Sequence, residues 1–546
     1  MRSAVSEVVI EADSPPAEAP APPAQPWPAP LSDARLTAIV TLALFVLGAW
    51  PLLLVKVPPL QDLPNHLATA RIIAHPELYP EYAFNGFFKS NSLLALWLHL
   101  AGGGDLLWAA RVFTAAVIAA NAVALPLYLL HFCGRRGLLV GALFVWPLVH
   151  SFSVSMGFLN FAFAFAVSLL LLVLLDQQRA RPTVARGAGI AAVAGVLWYA
   201  HPFPLAVAGG LAALDVAARP GWRARRAGAV ALLLPLAPAG LLALVAAQHH
   251  MMKAAHTTAL AGRAFSYLNP WESIAHLWTD ASGAFTWWGS ATLVPAVLLP
   301  WFAWKQRRSR PPFFSNAAII VLAAAYFGLP VMLSNWWHLN CRLVPFLWVA
   351  LALRVPRTLP RPVAFALVAC ALASSAAAAL DYVRLDRDRA EFTAGMDAVP
   401  ARAPLLPLMF KRSKTSTFTA SLTHAWGYYS VAKDTSAPPL VFAVERSYPI
   451  TYREFPPEVL IPPALDRFAE FQGTPAQVCK LVGRGPDDAG CNAAWRELWA
   501  SFWRKAEPRF SYLLTWAMPD EARPMIPARY RRTFAAGALE IYAQDR

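Results

Sequence analysis

The sequence predicts an α-helical polytopic membrane protein of about eleven spans, followed by a soluble C-terminal α/β domain. Three observations carry that prediction. Hydrophobic residues make up 57% of the 546-residue chain and charged residues only 14%, a balance typical of integral membrane proteins. Arginines fall in short clusters between long apolar runs. From Asp381 onward the continuous apolar runs stop, charge density rises and alternating patterns take over.

Residues 1–34 are rich in Pro and Ala and carry more acid than base. Such a stretch buries too little apolar surface to order itself and reads as a disordered cytoplasmic tail. It lacks the basic and apolar regions of a cleaved signal, so Leu36–Val55 is expected to remain as the first span. That run, Ala109–Leu130 and Phe158–Leu175 approach the roughly 20 apolar residues that cross a hydrocarbon core. The formal charge of +15 does not imply nucleic acid, because the basic residues are distributed as topology signals. Arg135 and Arg136; Arg179, Arg181 and Arg186; Arg219, Arg223, Arg225 and Arg226; Lys305, Arg307, Arg308 and Arg310; and Arg354, Arg357 and Arg361 fall in successive connections. All five clusters are expected on the cytoplasmic side. The stretches 138–176, 187–217, 227–304 and 314–353 then divide into two spans each, and residues 35–380 form the transmembrane domain.

This topology places the remaining polar residues on the opposite, extracytoplasmic side. Loop 56–106 carries Asp62, His66, Arg71 and Glu77. The turn at His201-Pro202-Phe203-Pro204 follows, then loop 248–283 with His249, His250, Lys253, His256, Glu272 and His276. The turn 334–342 adds Asn335, Trp336, Trp337, His338, Asn340 and Arg342. A transporter would more naturally hold ionisable residues at mid-membrane depth. The densest polar motif is Pro58-Pro59-Leu60-Gln61-Asp62-Leu63-Pro64-Asn65-His66. Its carboxylate can act as a general base toward a hydroxyl, or Asp62 or Asn65 can cap an interfacial helix running through Leu67 and Ile72.

Residues 381–546 are expected to form an extracytoplasmic α/β domain. Helical periodicity fits Pro463–Phe471 and Ala493–Lys505, and strands fit Leu440–Val444, Phe510–Trp516 and the pair Tyr530–Phe534 with Ala538–Tyr542. Cys479 and Cys491 lie in this part, where an oxidising compartment permits a disulfide. The segment His424-Ala425-Trp426-Gly427-Tyr428-Tyr429 reads either as a grip for sugars or headgroups or as an aromatic anchor at the membrane interface. No CxxC or His-x-Glu spacing points to zinc.

With about this many spans, an acid soon after span one, interfacial helices in the first loop and an external C-terminal domain, the chain resembles the GT-C superfamily of polytopic glycosyltransferases. Gln61–Ala68 and Gly157-Phe158-Leu159-Asn160-Phe161 also resemble uncharacterised bacterial membrane proteins near that superfamily. The resemblance implies a glycosyltransferase of the bacterial inner membrane that moves a sugar from a polyprenyl-phosphate carrier. The acceptor would be a glycan, lipid or protein on the extracytoplasmic face. In that reading Asp62 is the catalytic base, Arg342 meets the leaving phosphate, and His66, His201 and His338 bind phosphate or sugar. Snorkelling to the interface is the other reading of Arg342. Many members carry paired acids in the first loop, whereas Asp62 is followed by Leu63, so no cofactor is implied and the motif does not support a divalent metal. A second acid would have to be Glu77, Glu81, Asp105, Glu272 or Asp280. A polysaccharide polymerase or ligase, and a non-enzymatic transporter or scaffold, are the alternatives.

The topology is testable by cysteine labelling. Arg308→Cys is expected to be shielded from an impermeant reagent added outside, and Pro486→Cys to react with it; the reverse pattern would overturn the sidedness.

Overall fold

Ser32 opens the first helix by accepting the N–H of Arg35, and α1 (Asp33–Ala49) continues into a tight turn through Leu54. The computed structural model describes residues 32–245, 265–282, 287–306, 311–333, 336–411, 419–436, 448–454 and most of 466–545. Residues 1–31, the expected strand Leu440–Val444, and His249, His250, Lys253 and His256 lie outside the described residues. After α1, the first loop contributes α2 (Leu63–Ala74), β1 (Tyr82–Phe84) and α3 (Leu93–Ala101). Then come α4 (Leu106–Val145), the single turn α5 (Phe152–Ser155), α6 (Leu159–Ala180), α7 (Val184–Ala200), α8 (Pro202–Ala217) and a helical stretch α9 from Gly221 to Val245.

Among the described residues, five helical stretches are long and apolar enough to cross a membrane: Asp33–Leu54, Leu106–Ser155, Leu159–Ala180, Gly221–Val245 and Arg361–Ala398. Val184–Ala200, Pro202–Ala217, Asn316–Gly328 and Asn340–Ala352 are shorter apolar helices. Three of the four expected divisions occur where polar or turn residues interrupt the runs, and that of 227–304 falls partly outside the described residues. Stretch 138–176 breaks at Met156–Phe158, 187–217 breaks at His201, and 314–353 breaks between Gly328 and Asn340. Helix α4 is itself interrupted at Gly134, after which the chain folds back so that Gly141 lies against Leu129.

Arg135 and Arg136 follow that reversal, and the next arginine clusters sit at the α6–α7 and α8–α9 turns. Carboxylates meet them there: Asp176 contacts His131 at 2.9 Å and Arg179 at 2.8 Å, Asp33 contacts Arg135 at 3.6 Å, and Asp215 contacts Arg219 at 2.9 Å. Arg354 donates to the Phe314 carbonyl at 2.7 Å and also bonds Asn316.

The later part contains α10 (Pro270–Ser282), α11 (Leu293–Lys305), α12 (Asn316–Gly328), α13 (Val344–Ala352) and α14 (Arg361–Thr393). A small antiparallel sheet joins β2 (Phe265–Ser266), β3 (Met332–Leu333) and β4 (Trp336–Trp337). Helix α14 runs without a break past residue 381, so the expected domain boundary lies inside it. Beyond it comes β5 (Leu405–Met409), at one edge of a four-stranded sheet with β9 (Tyr512–Trp516), β10 (Tyr530–Ala536) and β11 (Leu539–Gln544) in the order β10-β11-β9-β5. Only the β5–β9 pair is parallel. The alternating runs read as strands at Phe510–Trp516, Tyr530–Phe534 and Ala538–Tyr542 are three of these four.

Helices α15 (Gly427–Lys433), α16 (Pro475–Leu481) and α17 (Ala489–Ala506) accompany the sheet. Trp495, Trp499 and Trp503 recur every four residues on α17, and all three join the apolar core that includes Phe410 and Leu513 of the sheet. The expected helix over Ala493–Lys505 is therefore present. Cys479 and Cys491 are disulfide-bonded, Cα to Cα 5.7 Å, and tie α16 to α17. The expected helix over Pro463–Phe471 is not formed: β7 (Asp466–Arg467) and β8 (Glu470–Phe471) pair antiparallel. Nine residues give too short a period to separate helix from strand, and Glu470–Phe471 lies beside β5, where tertiary packing decides.

The first loop and the C-terminal region are joined. β1 pairs antiparallel with β6 (Ile450–Tyr452), matching Tyr82 to Tyr452 and Phe84 to Ile450. Arg71 on α2 forms a two-pronged ion pair with Asp434 at the end of α15, at 2.7 and 3.1 Å. A forked pair of this kind fixes orientation as well as contact. Arg71→Ala is expected to cost about 1 kcal/mol at this partly exposed pair and to speed hydrogen exchange in Gly427–Lys433 without changing exchange in α6. Equal protection of α15 in both proteins would show that Arg71 does not hold the contact.

Candidate functional site

Gly157 determines where Asp62 sits. Its φ of +84° is a left-handed conformation that glycine adopts without steric cost. A Cβ there would come within 2.9 Å of the Asp62 backbone nitrogen and 3.1 Å of the Asp62 Cβ. The Asp62 N–H donates to the Met156 carbonyl at 3.1 Å, and the Gln61 N–H to the Ser155 carbonyl at 3.3 Å. The Pro58–His66 motif of the first loop is thereby pinned onto the turn that opens α6.

Asp62 stands at the N-cap position of α2, but its side chain makes no capping hydrogen bond. The cap reading is therefore corrected: only the Asp62 carbonyl serves the helix, accepting the His66 N–H at 3.2 Å. The carboxyl instead faces a site built from several elements. The Gln61 side chain hydrogen-bonds it, while the Gln61 Oε1 accepts the Ala420 N–H at 2.7 Å. Gln61 thus connects the carboxyl to the C-terminal region. His424 places its Nε2 3.7 Å from the Asp62 Oδ1. Loss of water raises the Asp62 carboxyl from its ordinary value to about 7, against the opposing pull of the Gln61 hydrogen bond and the positive Arg342.

The two neighbouring imidazoles respond in the opposite sense. Burial lowers His66 to about 3, helped by the proximity of His424, although the His66 ring hydrogen-bonds the backbone of Gly157. Burial likewise lowers His424 to about 4. Both are neutral at pH 7, so they offer hydrogen bonds without charge.

Arg342 is 7% exposed and lies in the short turn before α13. Its guanidinium covers the ring of Phe158 at 5.2 Å and that of Phe161 at 5.8 Å, contacts that hold a desolvated cation over aromatic faces. This burial among rings on α6 and its entry turn, within electrostatic reach of Asp62, is unlike a side chain snorkelling to the interface. His201 packs edge-on to Phe161 at 5.5 Å, and its Nδ1 accepts the Phe203 N–H at 3.2 Å, capping α8. Its neutral form therefore carries the proton on Nε2. His338 has a left-handed φ of +54° and packs against Phe152 at 5.7 Å and Phe158 at 6.3 Å.

All five residues predicted from the sequence therefore gather around Gly157–Phe161: Asp62 and His66 from α2, His201 from the α7–α8 turn, His338 and Arg342 from the segment before α13. Asn160 in the same motif has a supporting role. Its side chain accepts the Leu94 N–H at 2.9 Å and donates to the Asn91 carbonyl at 2.8 Å, fixing the start of α3.

No protein-family model matches the chain, and no curated protein matches it. Among solved structures, ArnT from Cupriavidus metallidurans bound to undecaprenyl phosphate aligns over 93% of this chain and 97% of its own, with a TM-score of 0.51 and 11% identity. The apo state of ArnT gives a TM-score of 0.50 over the same shares, also at 11% identity. Arabinofuranosyltransferase AftD from Mycobacteria aligns over 94% of this chain and 42% of its own, at 17% identity and a TM-score of 0.49. The chain has the GT-C fold. It is a multi-pass membrane protein.

Within this GT-C fold, none of the acids weighed as a partner for Asp62 is seen to join it. Glu77 is paired with His75 at 3.5 Å, Asp105 caps α4, and Glu272 caps α10 together with Asn269. Glu81 neighbours Tyr79 and Tyr82 at β1; the Asp280 side chain lies outside the described residues. Among the described residues no three His, Cys, Asp or Glu groups converge in a metal-binding set. The donors at Asp62 are one carboxyl, an amide and imidazoles, which do not match a paired-acid metal site.

His424 is the site residue that sequence reasoning did not single out as such. Its segment was noticed for aromatic content, yet Trp426 and Tyr429 are buried, 2% and 0% exposed, and pack as core. Gly427 explains their depth: a Cβ there would lie 2.3 Å from the Pro64 carbonyl oxygen, so the absence of a side chain lets the segment close onto α2. Gly157→Ala is expected to lower stability by about 1–3 kcal/mol through backbone strain, seen as a lower midpoint of thermal unfolding. An unchanged midpoint would mean that the α2 contact is not set at Gly157.

Proposed function

We propose that the protein is a membrane glycosyltransferase that transfers a sugar from a polyprenyl-phosphate carrier to an acceptor hydroxyl on the extracytoplasmic face. The observation that carries this reading is the placement of a largely enclosed carboxyl, Asp62, within electrostatic reach of a buried guanidinium, Arg342, at the end of the helices away from the arginine clusters. The likeness to ArnT, solved with undecaprenyl phosphate, supports the same class of donor.

The acceptor O–H bond breaks to Asp62 as the acceptor oxygen attacks the anomeric carbon. The bond from that carbon to the phosphate oxygen breaks in the same direction, and the carrier leaves as a phosphate monoester with one more negative charge. Arg342, fixed over Phe158 and Phe161 before the substrate arrives, meets that charge without reorganising. Its fork suits phosphate oxygens better than an ammonium does. His66, His201 and His338 line the same turn, and imidazole N–H groups there can bind phosphate or sugar oxygens. The acceptor is a glycan, lipid or protein hydroxyl, and the protein acts in the bacterial inner membrane with residues 381–546 outside. No resident metal enters these steps.

A carboxyl raised to about 7 imposes a pH dependence with a defined sign. Asp62 works as a base only when ionised, so kcat/KM is expected to fall about tenfold per pH unit below pH 7 and to level off above it. Flat activity down to pH 5 would contradict the assignment. Asp62→Asn keeps the shape and removes the base, with an expected loss of roughly 10²–10⁴-fold at unchanged thermal midpoint, assayed with a polyprenyl-phosphate sugar. Arg342→Lys is expected to retain more activity than Arg342→Ala, because charge survives without the fork. Full activity in Asp62→Asn on a donor that the wild type uses would refute the proposed base.

A further inference from the structure

We propose that His424 is a positioning residue for the transfer, standing against one oxygen of Asp62 from the C-terminal region and so leaving the other to take the acceptor proton. This rests on the reading of Asp62 as the base. Three observations carry it. The His424 Nε2 lies 3.7 Å from the Asp62 Oδ1, with the histidine side chain 9% and the aspartate side chain 16% exposed, so the two groups face each other with little solvent between them. The segment carrying it is fastened on both sides, at Ala420 by the Gln61 side chain and at Gly427 by its approach to Pro64. The imidazole therefore has little freedom to leave the carboxyl. Finally, the rest of the carboxyl's surroundings come from elsewhere in the fold. Gln61 hydrogen-bonds it, Arg342 acts on it through space, and His66 stands within electrostatic reach of His424.

The C-terminal region is thereby part of the reaction site. Tyr448, just before β6, is also within electrostatic reach of Arg342, so the same region approaches both the base and the cation. At neutral pH the His424 ring is uncharged. Its effects on Asp62 are therefore to orient the carboxyl and to keep water from it, and these two effects separate experimentally.

The test uses the full-length protein in lipid nanodiscs, with His424→Ala and His424→Gln. The Asp62 carboxyl is followed by infrared spectroscopy against pH, its band isolated by subtracting the spectrum of Asp62→Asn. Transfer from a polyprenyl-phosphate sugar is assayed in parallel. Misplacement of a reacting group by about 1 Å costs roughly 10²-fold, so His424→Ala is expected to lower kcat by about that factor with the donor KM within about twofold. Water admitted beside the carboxyl is expected to lower the Asp62 infrared midpoint and move the acid limb of the rate profile with it. His424→Gln, which keeps a polar side chain of similar reach beside the carboxyl, is expected to recover most of kcat.

A midpoint that stays at its wild-type value in His424→Ala, or one that shifts while kcat at high pH is unchanged, overturns the proposal. If Asp62→Asn is inactive and His424→Ala is fully active, the glycosyltransferase reading stands and the role of His424 falls. If the wild type transfers nothing, the glycosyltransferase reading falls. The infrared midpoint still decides in that case, because a shift shows that His424 controls Asp62 and constancy shows that it does not.

Discussion

The backbone contact between Gly157 and Asp62 places the first external loop on the helical body, and the neighbouring groups follow from it. With no side chain at Gly157, the Gln61 and Asp62 N–H groups reach the Ser155 and Met156 carbonyls. That registration sets the start of α2, whose other residues meet the C-terminal region through Pro64 and Arg71. It also brings Asp62 beside the turn whose aromatic rings, Phe158 and Phe161, carry Arg342. One short turn between α5 and α6 therefore connects the carboxyl, the cation and the covering segment.

Removal of water then sets the charges of these groups. A carboxylate taken out of water holds its proton more tightly and an imidazole holds it less tightly, because burial penalises the charged form of each. Asp62 rises while His66 and His424 fall. Arg342 stays cationic, since guanidinium loses its proton only far above neutrality. The result is a carboxyl that titrates near neutrality, uncharged imidazoles and a fixed positive charge. Such a set can accept a proton at one place and negative charge at another, the division of labour that the proposed transfer requires.

The opposite end of the helices is organised differently. Asp176 and Asp215 bind arginines of the turns, and Asp33 at the start of α1 meets Arg135. These pairs lie where the basic clusters are, and they concern the joining of helices. The polar residues with chemical potential are gathered at the other end, where the first loop, the α7–α8 turn and the segment before α13 converge. The C-terminal region closes over that end through the β1–β6 ladder and the Arg71–Asp434 pair.

The long apolar runs, the breaks at Met156–Phe158 and His201, and the alternating strands of the C-terminal sheet were legible in the sequence, because hydrophobic pattern and turn chemistry are local properties. Asp62 was legible as a candidate as well, since a carboxylate between prolines just after a span can serve either as a base or as a helix cap. Its exclusion from capping was not, because capping depends on side-chain geometry within a single turn. The strands at Asp466–Arg467 and Glu470–Phe471 were misread as helix, as a nine-residue pattern is decided by its neighbours. His424 was beyond the reach of sequence because it lies more than 350 residues from Asp62, and no periodicity encodes a contact across that distance. Local composition determined which segments enter the membrane and which residues can do chemistry. Only the packing of the first loop against Gly157 and the C-terminal segment decided which of those residues share one desolvated site, because burial and proximity are properties of the whole chain.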